Sequence, residues 1–249
     1  MLDYDSQMTG LSRFAERTCD LSLIETSTTR TWWTRGRPFT LAELVADGIV
    51  HGIGLLVATG LGTIILVLAA SGGAPVELPA IALYVATLVL LLSVSLAFNL
   101  CPIHASAKRL LARLDQAAIF LFIAATYTPF LALLGATPQS IAVAVLVWGG
   151  AIAGMMLKLV VPHRFGRGAL VLYLAIGWSG VLIAKALSMH LPPLGFWLLI
   201  AGGAVYSAGI VFHLWEKLRF HNAVWHGFVV TGASLHLLAL LESVVLNRL

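Results

Sequence analysis

Charged residues are scarce in this chain of 249 residues, since aspartate, glutamate, lysine and arginine together make up 10% of it. Cysteine occurs only twice, which excludes a disulfide framework. The sequence also lacks a glycine-rich phosphate loop and a paired-cysteine metal motif. Apolar residues, in contrast, account for 59% of the chain, more than the core of a soluble domain absorbs. The composition therefore predicts an integral membrane protein.

Apolar runs long enough to cross a bilayer recur after residue 44. A spanning helix needs about 20 predominantly apolar residues. The stretches that meet this condition are centred on residues 48–70, 79–101, 116–134, 140–160, 168–189, 194–213 and 223–245. We therefore predict an all-α fold in which residues 45–249 form a bundle of seven transmembrane helices. Residues 1–44 are polar and are predicted to form a cytoplasmic N-terminal tail.

The basic residues lie in alternate connections between the predicted spans. Of the 15 lysines and arginines, all except Lys185 and Arg248 fall in the tail or after the second, fourth and sixth spans. Because basic loops stay in the cytoplasm, we predict a cytoplasmic N-terminus, an external C-terminus and a location in the inner cell membrane. The positive charge then faces anionic lipid, so the expected partners are membrane lipids and not nucleic acid. Cys19 and Cys101 would face the reducing cytoplasm, where disulfides are rare.

Five polar side chains stand inside the apolar spans or at their ends. Ser95 and Asn99 lie four residues apart in the second span. Asn222 and His226 have the same spacing at the start of the seventh, and Asp115 opens the third. Residues four apart share one helical face, and the predicted orientation brings all three helix ends to the cytoplasmic level. Because a carboxylate beside hydrocarbon is costly, we predict that these side chains form one interior polar cluster.

A second polar stripe runs along the start of the first span. Glu43, Asp47 and His51 recur every four residues and so lie on one helical face. Acidic residues are favoured at the positive end of the helix dipole, so the stripe is interpreted either as a capped, solvated helix start or as part of a functional site. His51 lies one or two turns deeper, which favours the second interpretation for this residue.

Several separated motifs resemble those of one membrane family. They are residues 113–120 (RLDQAAIF) leading into 125–130 (ATYTPF), residues 223–228 (AVWHGF) with His236 further on, and Glu43 followed by residues 51–54 (HGIG). In their order along the chain, over residues 41–245, these motifs are similar to those of the hemolysin III family, the bacterial branch of the progestin and adiponectin Q receptor superfamily. The resemblance implies seven spans, a cytoplasmic N-terminus and a zinc site near the cytoplasmic face.

The resemblance also implies particular zinc ligands. In typical members a Ser-x-x-x-His on the second span supplies one imidazole, a His-x-x-x-His on the seventh supplies two, and an aspartate on the third holds a water at the metal. Such a set is a hydrolytic type of zinc centre. Here Ser95, Asp115 and His226 match, whereas Asn99 and Asn222 replace two of the three imidazoles. Amide oxygens suit zinc poorly, so we expect no resident cofactor, with zinc at Asp115 and His226 as the alternative.

Three functions stay open, and the sequence does not decide whether the protein is an enzyme. The preferred interpretation is a non-catalytic, lipid-responsive or membrane-homeostasis protein, in which the asparagine amides donate to Asp115 and His226 pairs with it. The first alternative is a zinc-dependent hydrolase of a lipid amide at the cytoplasmic face. The second is a haemolytic pore, which only the family's name suggests. It is disfavoured because the polar residues gather at one level of the membrane.

Overall fold

The protein is described by a computed structural model that covers residues 39–72, 77–101, 106–162 and 166–246. All regular structure within these ranges is helical. The α-helices are α1 (Leu41–Ser71), α2 (Leu78–Leu100), α3 (Ser106–Leu134), α4 (Pro138–Val160), α5 (Gly166–Gly177), α6 (Ala184–His190), α7 (Pro193–Leu214) and α8 (His221–Leu240). A 3-10 helix, Trp178–Ile183, joins α5 to α6, and α8 runs on into a π-helical turn, Leu241–Val245.

Seven helical segments in the described part of the chain are long and apolar enough to cross a membrane. Helices α5 and α6 together form the fifth span, Gly168–His190, and α8 provides the seventh. The predicted all-α fold with seven spans is confirmed. The first helix begins at Leu41, just before the predicted domain boundary at residue 45. Residues 1–38 of the predicted tail lie outside the described residues.

The start of α1 is fixed by a capping box. The side chain of Thr40 accepts a hydrogen bond from the Glu43 amide, and the Thr40 amide donates to the Glu43 carboxylate over 2.9 Å. This exchange satisfies backbone donors that a helix start leaves unpaired. The other Glu43 oxygen accepts from the Phe220 amide, 3.0 Å away, just before α8 begins. Glu43 therefore joins the starts of the first and seventh spans.

Helix α1 packs against both α2 and α8. Helix α2 also packs on α3, α3 packs on α4, and α7 packs along α8. The core between them is apolar apart from single polar groups, and it includes the stacked rings of Tyr84 and Phe122. The Tyr84 hydroxyl donates to the Ala233 carbonyl, which ties α2 to α8 in the middle of the bundle.

Glycine permits close helix approach at specific points. A Cβ atom on Gly154 of α4 would lie 2.4 Å from ring atoms of Phe120 on α3. One on Gly202 of α7 would lie 2.3 Å from the ring of His236 on α8. Real Cβ atoms do not approach neighbours so closely, and small residues are known to let membrane helices pack tightly.

The fifth span is interrupted where its middle turns become a 3-10 helix. The Tyr127 hydroxyl of α3 reaches this point, where it accepts from the Gly180 amide over 2.8 Å and lies within donating distance of the Ile176 carbonyl, 3.1 Å away. Unpaired backbone groups are costly in hydrocarbon, so this one hydroxyl stabilises the interruption. Beside it lies an apolar groove of about 480 Å³ between α4 and the fifth span.

Candidate functional site

The site is centred on His226, in the second turn of α8. Its Nδ1 atom lies 2.6 Å from Oδ1 of Asp47 on α1. The ring of His51, one turn further along α1, lies edge-on to the His226 ring with a centroid separation of 4.3 Å. The Nδ1 atom of His51 donates to the backbone carbonyl of Asp47 over 2.9 Å. Asp47 therefore holds both imidazoles, one through its carboxylate and the other through its carbonyl.

All three side chains are removed from solvent. The residue exposures are 2% for Asp47, 0% for His51 and 8% for His226. Oδ2 of Asp47 and Nε2 of His51 are buried with no hydrogen-bond partner. One ligand atom from each of the three residues lies within 4.8 Å of the others. The group is thus a compact set of metal-ligating side chains drawn from the first and seventh spans.

The opposite edge of His226 faces α2. Its Nε2 atom lies 3.4 Å from Oγ of Ser95. The Asn99 amide donates to the Ser95 carbonyl over 2.8 Å, and the Asn222 amide donates to Oδ1 of Asn99 over 3.1 Å. The ends of α2 and α8 are therefore connected by a relay of amide hydrogen bonds.

Asp115 joins this network from α3. Its carboxylate accepts a hydrogen bond from the Ser95 hydroxyl and is close enough to Asp47, His226 and Lys108 to interact with them electrostatically. Lys108 is itself buried, and its ammonium donates to the carbonyls of Phe98 and Cys101 at the end of α2. Ser95 thus lies between His226 and Asp115.

The structure places the five residues Ser95, Asn99, Asp115, Asn222 and His226 in one network, but the partners differ from the predicted ones. The asparagine amides bond to Ser95 and to each other, whereas they were expected to donate to Asp115. His226 makes its close contact with Asp47 rather than the expected pairing with Asp115. The reason is that α1 packs directly against α8, which places the Asp47 carboxylate beside Nδ1 of His226.

The polar stripe of α1 divides into two parts. Glu43 serves the capped helix start, as one interpretation held, although it is 3% exposed and is not solvated. Asp47 and His51 belong to the site. From the sequence alone, the stripe was not connected with the α8 residues, and Lys108 counted only among the basic residues that follow the second span. The sequence did contain a signal for this grouping. Asp47 and His51 are four residues apart, and both lie at the same predicted depth in the membrane as His226.

These features define a class: a multi-pass α-helical membrane protein with a buried cluster of histidine and carboxylate side chains where α1, α2, α3 and α8 meet. The haemolysin-III related family matches residues 39–237, and the chain belongs to this family.

Individual relatives agree with that assignment. The chain is 35% identical over 199 residues to the "Hemolysin-3 homolog" of Bacillus subtilis (strain 168), an alignment that covers 79% of this chain and 92% of that protein. It is 35% identical over 193 residues to the "Hemolysin-3" of Bacillus cereus, covering 78% and 88%. A more distant similarity, 30% over 127 residues, relates it to the human "Monocyte to macrophage differentiation factor" and covers 51% of this chain and 52% of that protein.

Proposed function

We propose that this protein is a non-catalytic, lipid-responsive member of the haemolysin-III related family. The observation that carries the proposal is the amide relay from Asn222 to Asn99 to Ser95. It occupies two of the three positions at which the family resemblance implies imidazole ligands for zinc.

The residues at those positions do not fit a hydrolytic zinc centre. The Asn99 side-chain oxygen is the atom that would face a metal, and it already accepts a hydrogen bond from Asn222. An amide oxygen is also a harder donor than the imidazole that zinc favours. In our proposal the hydrogen bonds of Asn99 and Asn222 hold the ends of α2 and α8 together in place of a metal. These two residues then stabilise helix packing and take no part in hydrolysis.

The lipid response is proposed to act through the groove beside the interrupted fifth span. The groove is lined by apolar side chains of α4, α5 and the 3-10 helix, including Leu146, Leu172 and Leu182. Ala175, Val181 and Leu182 on its fifth-span side are exposed on the surface of a membrane-spanning segment. The chemical group that fits such a surface within a bilayer is a lipid acyl chain. An acyl chain in the groove would contact the 3-10 turns to which the Tyr127 hydroxyl is hydrogen-bonded.

Two measurements on the full chain in lipid nanodiscs test the proposal. The first is hydrolysis of a ceramide, as a representative lipid amide, with and without added zinc. We expect no turnover above that of empty nanodiscs, and zinc-dependent turnover would overturn the non-catalytic assignment. The double variant Asn99→His with Asn222→His is the comparison, because it supplies the missing imidazoles.

The second measurement is the melting temperature of the protein in nanodiscs of increasing acyl-chain length. Ala175→Phe fills the groove and should flatten the dependence of the melting temperature on chain length. Ala86→Phe is the matched control, since Ala86 is an exposed alanine of α2 outside the groove lining. A lipid dependence that is equal in both variants would overturn the role of the groove.

One observation favours a second function, a metal-dependent lipid hydrolase. The group Asp47, His51 and His226 provides two imidazoles and a carboxylate, the number of protein ligands found in hydrolytic zinc centres with an open position. The Asp115 carboxylate lies nearby and accepts a hydrogen bond from the Ser95 hydroxyl. A metal bound there would supply Lewis-acid activation of water. Ceramide turnover that disappears in His51→Asn would establish this function.

A further inference from the structure

A second set of polar side chains lies inside the bundle, away from the site around His226. His236 of α8 follows His226 by ten residues, which places it about 15 Å further along the helix. The ring of Tyr206 on α7 meets the His236 ring edge-on, with a centroid separation of 5.5 Å. Tyr84 of α2 is close enough to Tyr206 to interact with it electrostatically. We call Tyr84, Tyr206 and His236 the tyrosine–histidine cluster.

Two atoms of the cluster are buried without a hydrogen-bond partner. They are the hydroxyl oxygen of Tyr206 and Nδ1 of His236. Buried polar atoms in folded proteins are nearly always paired, since an unpaired one loses its hydration without compensation. Both atoms belong to side chains whose rings are in contact. Their unmet bonding capacity therefore points to a polar ligand held by the two residues together.

Glycines fix the directions in which the two side chains point. A Cβ atom on Gly202 of α7 would lie 2.3 Å from Cδ2 and 2.5 Å from Nε2 of His236, so this edge of the imidazole faces α7. Nε2 also lies 3.1 Å from the Leu199 carbonyl of α7. Because Nδ1 is the ring atom opposite that edge, it points away from α7. The Tyr206 ring in turn lies across Gly232 of α8, whose Cβ position is 3.0 Å from its ring atoms.

Tyr84 reaches the same part of α8 from α2. Its hydroxyl donates to the Ala233 carbonyl over 3.2 Å, so its oxygen can still accept a hydrogen bond. Ala233 directly follows Gly232, the residue that the Tyr206 ring crosses. The two tyrosines thus meet neighbouring residues of α8, and His236 lies one turn further along the same helix.

The hydrogen bonds also fix what each unpaired atom needs. Nε2 of His236 faces a carbonyl, which only accepts, so Nε2 carries the proton. In the neutral ring, Nδ1 is then an acceptor, whereas the Tyr206 hydroxyl has a proton to donate. A water molecule meets both needs, and its second hydrogen can go to the Tyr84 oxygen. A buried water typically makes about three hydrogen bonds.

We propose that the tyrosine–histidine cluster binds a water molecule inside the bundle, between α2, α7 and α8. The ligand is small and neutral, because the cluster has no charged side chain and its surroundings are apolar. Leu88 and Leu237, which are 1% and 0% exposed, belong to the same core as Tyr84. This inference goes beyond the proposed function and does not depend on it.

The test is radiolytic footprinting of the full chain in lipid nanodiscs. A short X-ray pulse splits water into hydroxyl radicals, which oxidise side chains in contact with a bound water even where bulk solvent does not reach. Peptide mass spectrometry measures the rate of oxidation against dose. We expect Tyr206 and His236 to be oxidised faster than Phe120, an aromatic core residue with 0% exposure. Rates as low as that of Phe120 would overturn the proposal and would favour a direct hydrogen bond from Tyr206 to His236.

Tyr206→Phe removes the donor and keeps the ring. Oxidation of His236 in this variant should fall to the rate of Phe120, since the water loses a partner. His236→Phe removes the acceptor and should lower oxidation of Tyr206 in the same way. The matched control is Ser234→Ala, because the Ser234 hydroxyl bonds to the Val230 carbonyl within α8. The control should keep the oxidation rates of the parent.

Loss of oxidation in the two cluster variants but not in Ser234→Ala supports the water site. Equal oxidation in all variants overturns it, because the radicals would then come from solvent that enters by another route. If His236→Phe does not fold, Tyr206→Phe and the rates in the parent carry the test. Neither result changes the interpretation of the ceramide and lipid-length measurements.

Discussion

Nδ1 of His226 lies 2.6 Å from Oδ1 of Asp47, a contact between residues 179 positions apart in the sequence. The same aspartate accepts from His51 through its backbone carbonyl. One residue thus orders two imidazoles on different helices. Because the three side chains are buried, removal of the carboxylate leaves an imidazole N–H without an acceptor in a region that water does not reach.

Asp47→Ala should therefore be strongly destabilising. Removing one partner of a buried hydrogen bond leaves the other unsatisfied, which costs about 1–3 kcal/mol and more where one of the groups is charged. Asp47→Asn should cost less, because its amide oxygen still accepts from Nδ1 of His226. The free energy of unfolding in mixed micelles, measured by denaturant titration, checks this order. Equal losses for the two variants would mean that the contact contributes packing but no hydrogen bond.

Asn99 and Asn222 should be energetically coupled. Their side-chain hydrogen bond of 3.1 Å joins α2 to α8. Hydrogen bonds between membrane helices contribute about 0.6 kcal/mol on average and up to about 1.7 kcal/mol. A double-mutant cycle with Asn99→Ala and Asn222→Ala should give a coupling energy in this range. The pair Thr59→Ala and Asn222→Ala is the reference, since Thr59 bonds only within α1 in the described structure. Strict additivity for the asparagines would contradict the relay.

Tyr127→Phe should destabilise the interrupted fifth span. The hydroxyl accepts from the Gly180 amide and contacts the Ile176 carbonyl, so its loss removes hydrogen bonds that each contribute about 0.5–1.5 kcal/mol. Tyr173→Phe is the comparison, because the Tyr173 hydroxyl donates to the Gln116 carbonyl within helix α3. Hydrogen exchange should increase near Gly180 in Tyr127→Phe alone. Unchanged exchange there would argue against the role of the hydroxyl.

Gly154→Ala should weaken the packing of α3 on α4. The new methyl group would lie 2.4 Å from the Phe120 ring, and overpacking of this kind costs about 1–3 kcal/mol. Gly149→Ala on the same helix is the matched control, because nothing lies within 4 Å of its Cβ position. Alanine is the better helix former by about 0.5–1 kcal/mol, so this variant should be neutral or more stable. Thermal melting in one detergent compares the two directly.

Hydropathy predicted the seven spans, because each span must present apolar side chains to lipid over its whole length. It did not locate where the third helix begins. That helix starts at Ser106, ahead of the predicted residue 116. Its first turns carry Lys108 and Arg113, whose side chains bond to the carbonyls of Phe98 in α2 and Leu159 in α4. The 3-10 interruption of the fifth span was also missed. It depends on the Tyr127 hydroxyl of another helix, which no local pattern reveals.

Spacing along a single helix predicted which polar residues share a face, and those residues do meet. Asn99 bonds to Ser95 one turn earlier in α2. Asn222 and His226 both face α2, where they contact Asn99 and Ser95. The pairing of His226 with Asp47 was not predictable in this way. It requires knowing that α1 is the neighbour of α8 and how the two helices are rotated, which only the assembled bundle determines.

The anchorage of α1 to α8 has a mechanical consequence. The Glu43 carboxylate bonds to the Phe220 amide, and Asp47 bonds to His226 one turn further in. A slip of one residue moves a helix by about 1.5 Å along its axis, which would break both contacts together. The two contacts thereby fix the register of the first span against the seventh. The interruption of the fifth span is held instead by separate side-chain hydrogen bonds from Tyr127, Gln139 and its own Ser179.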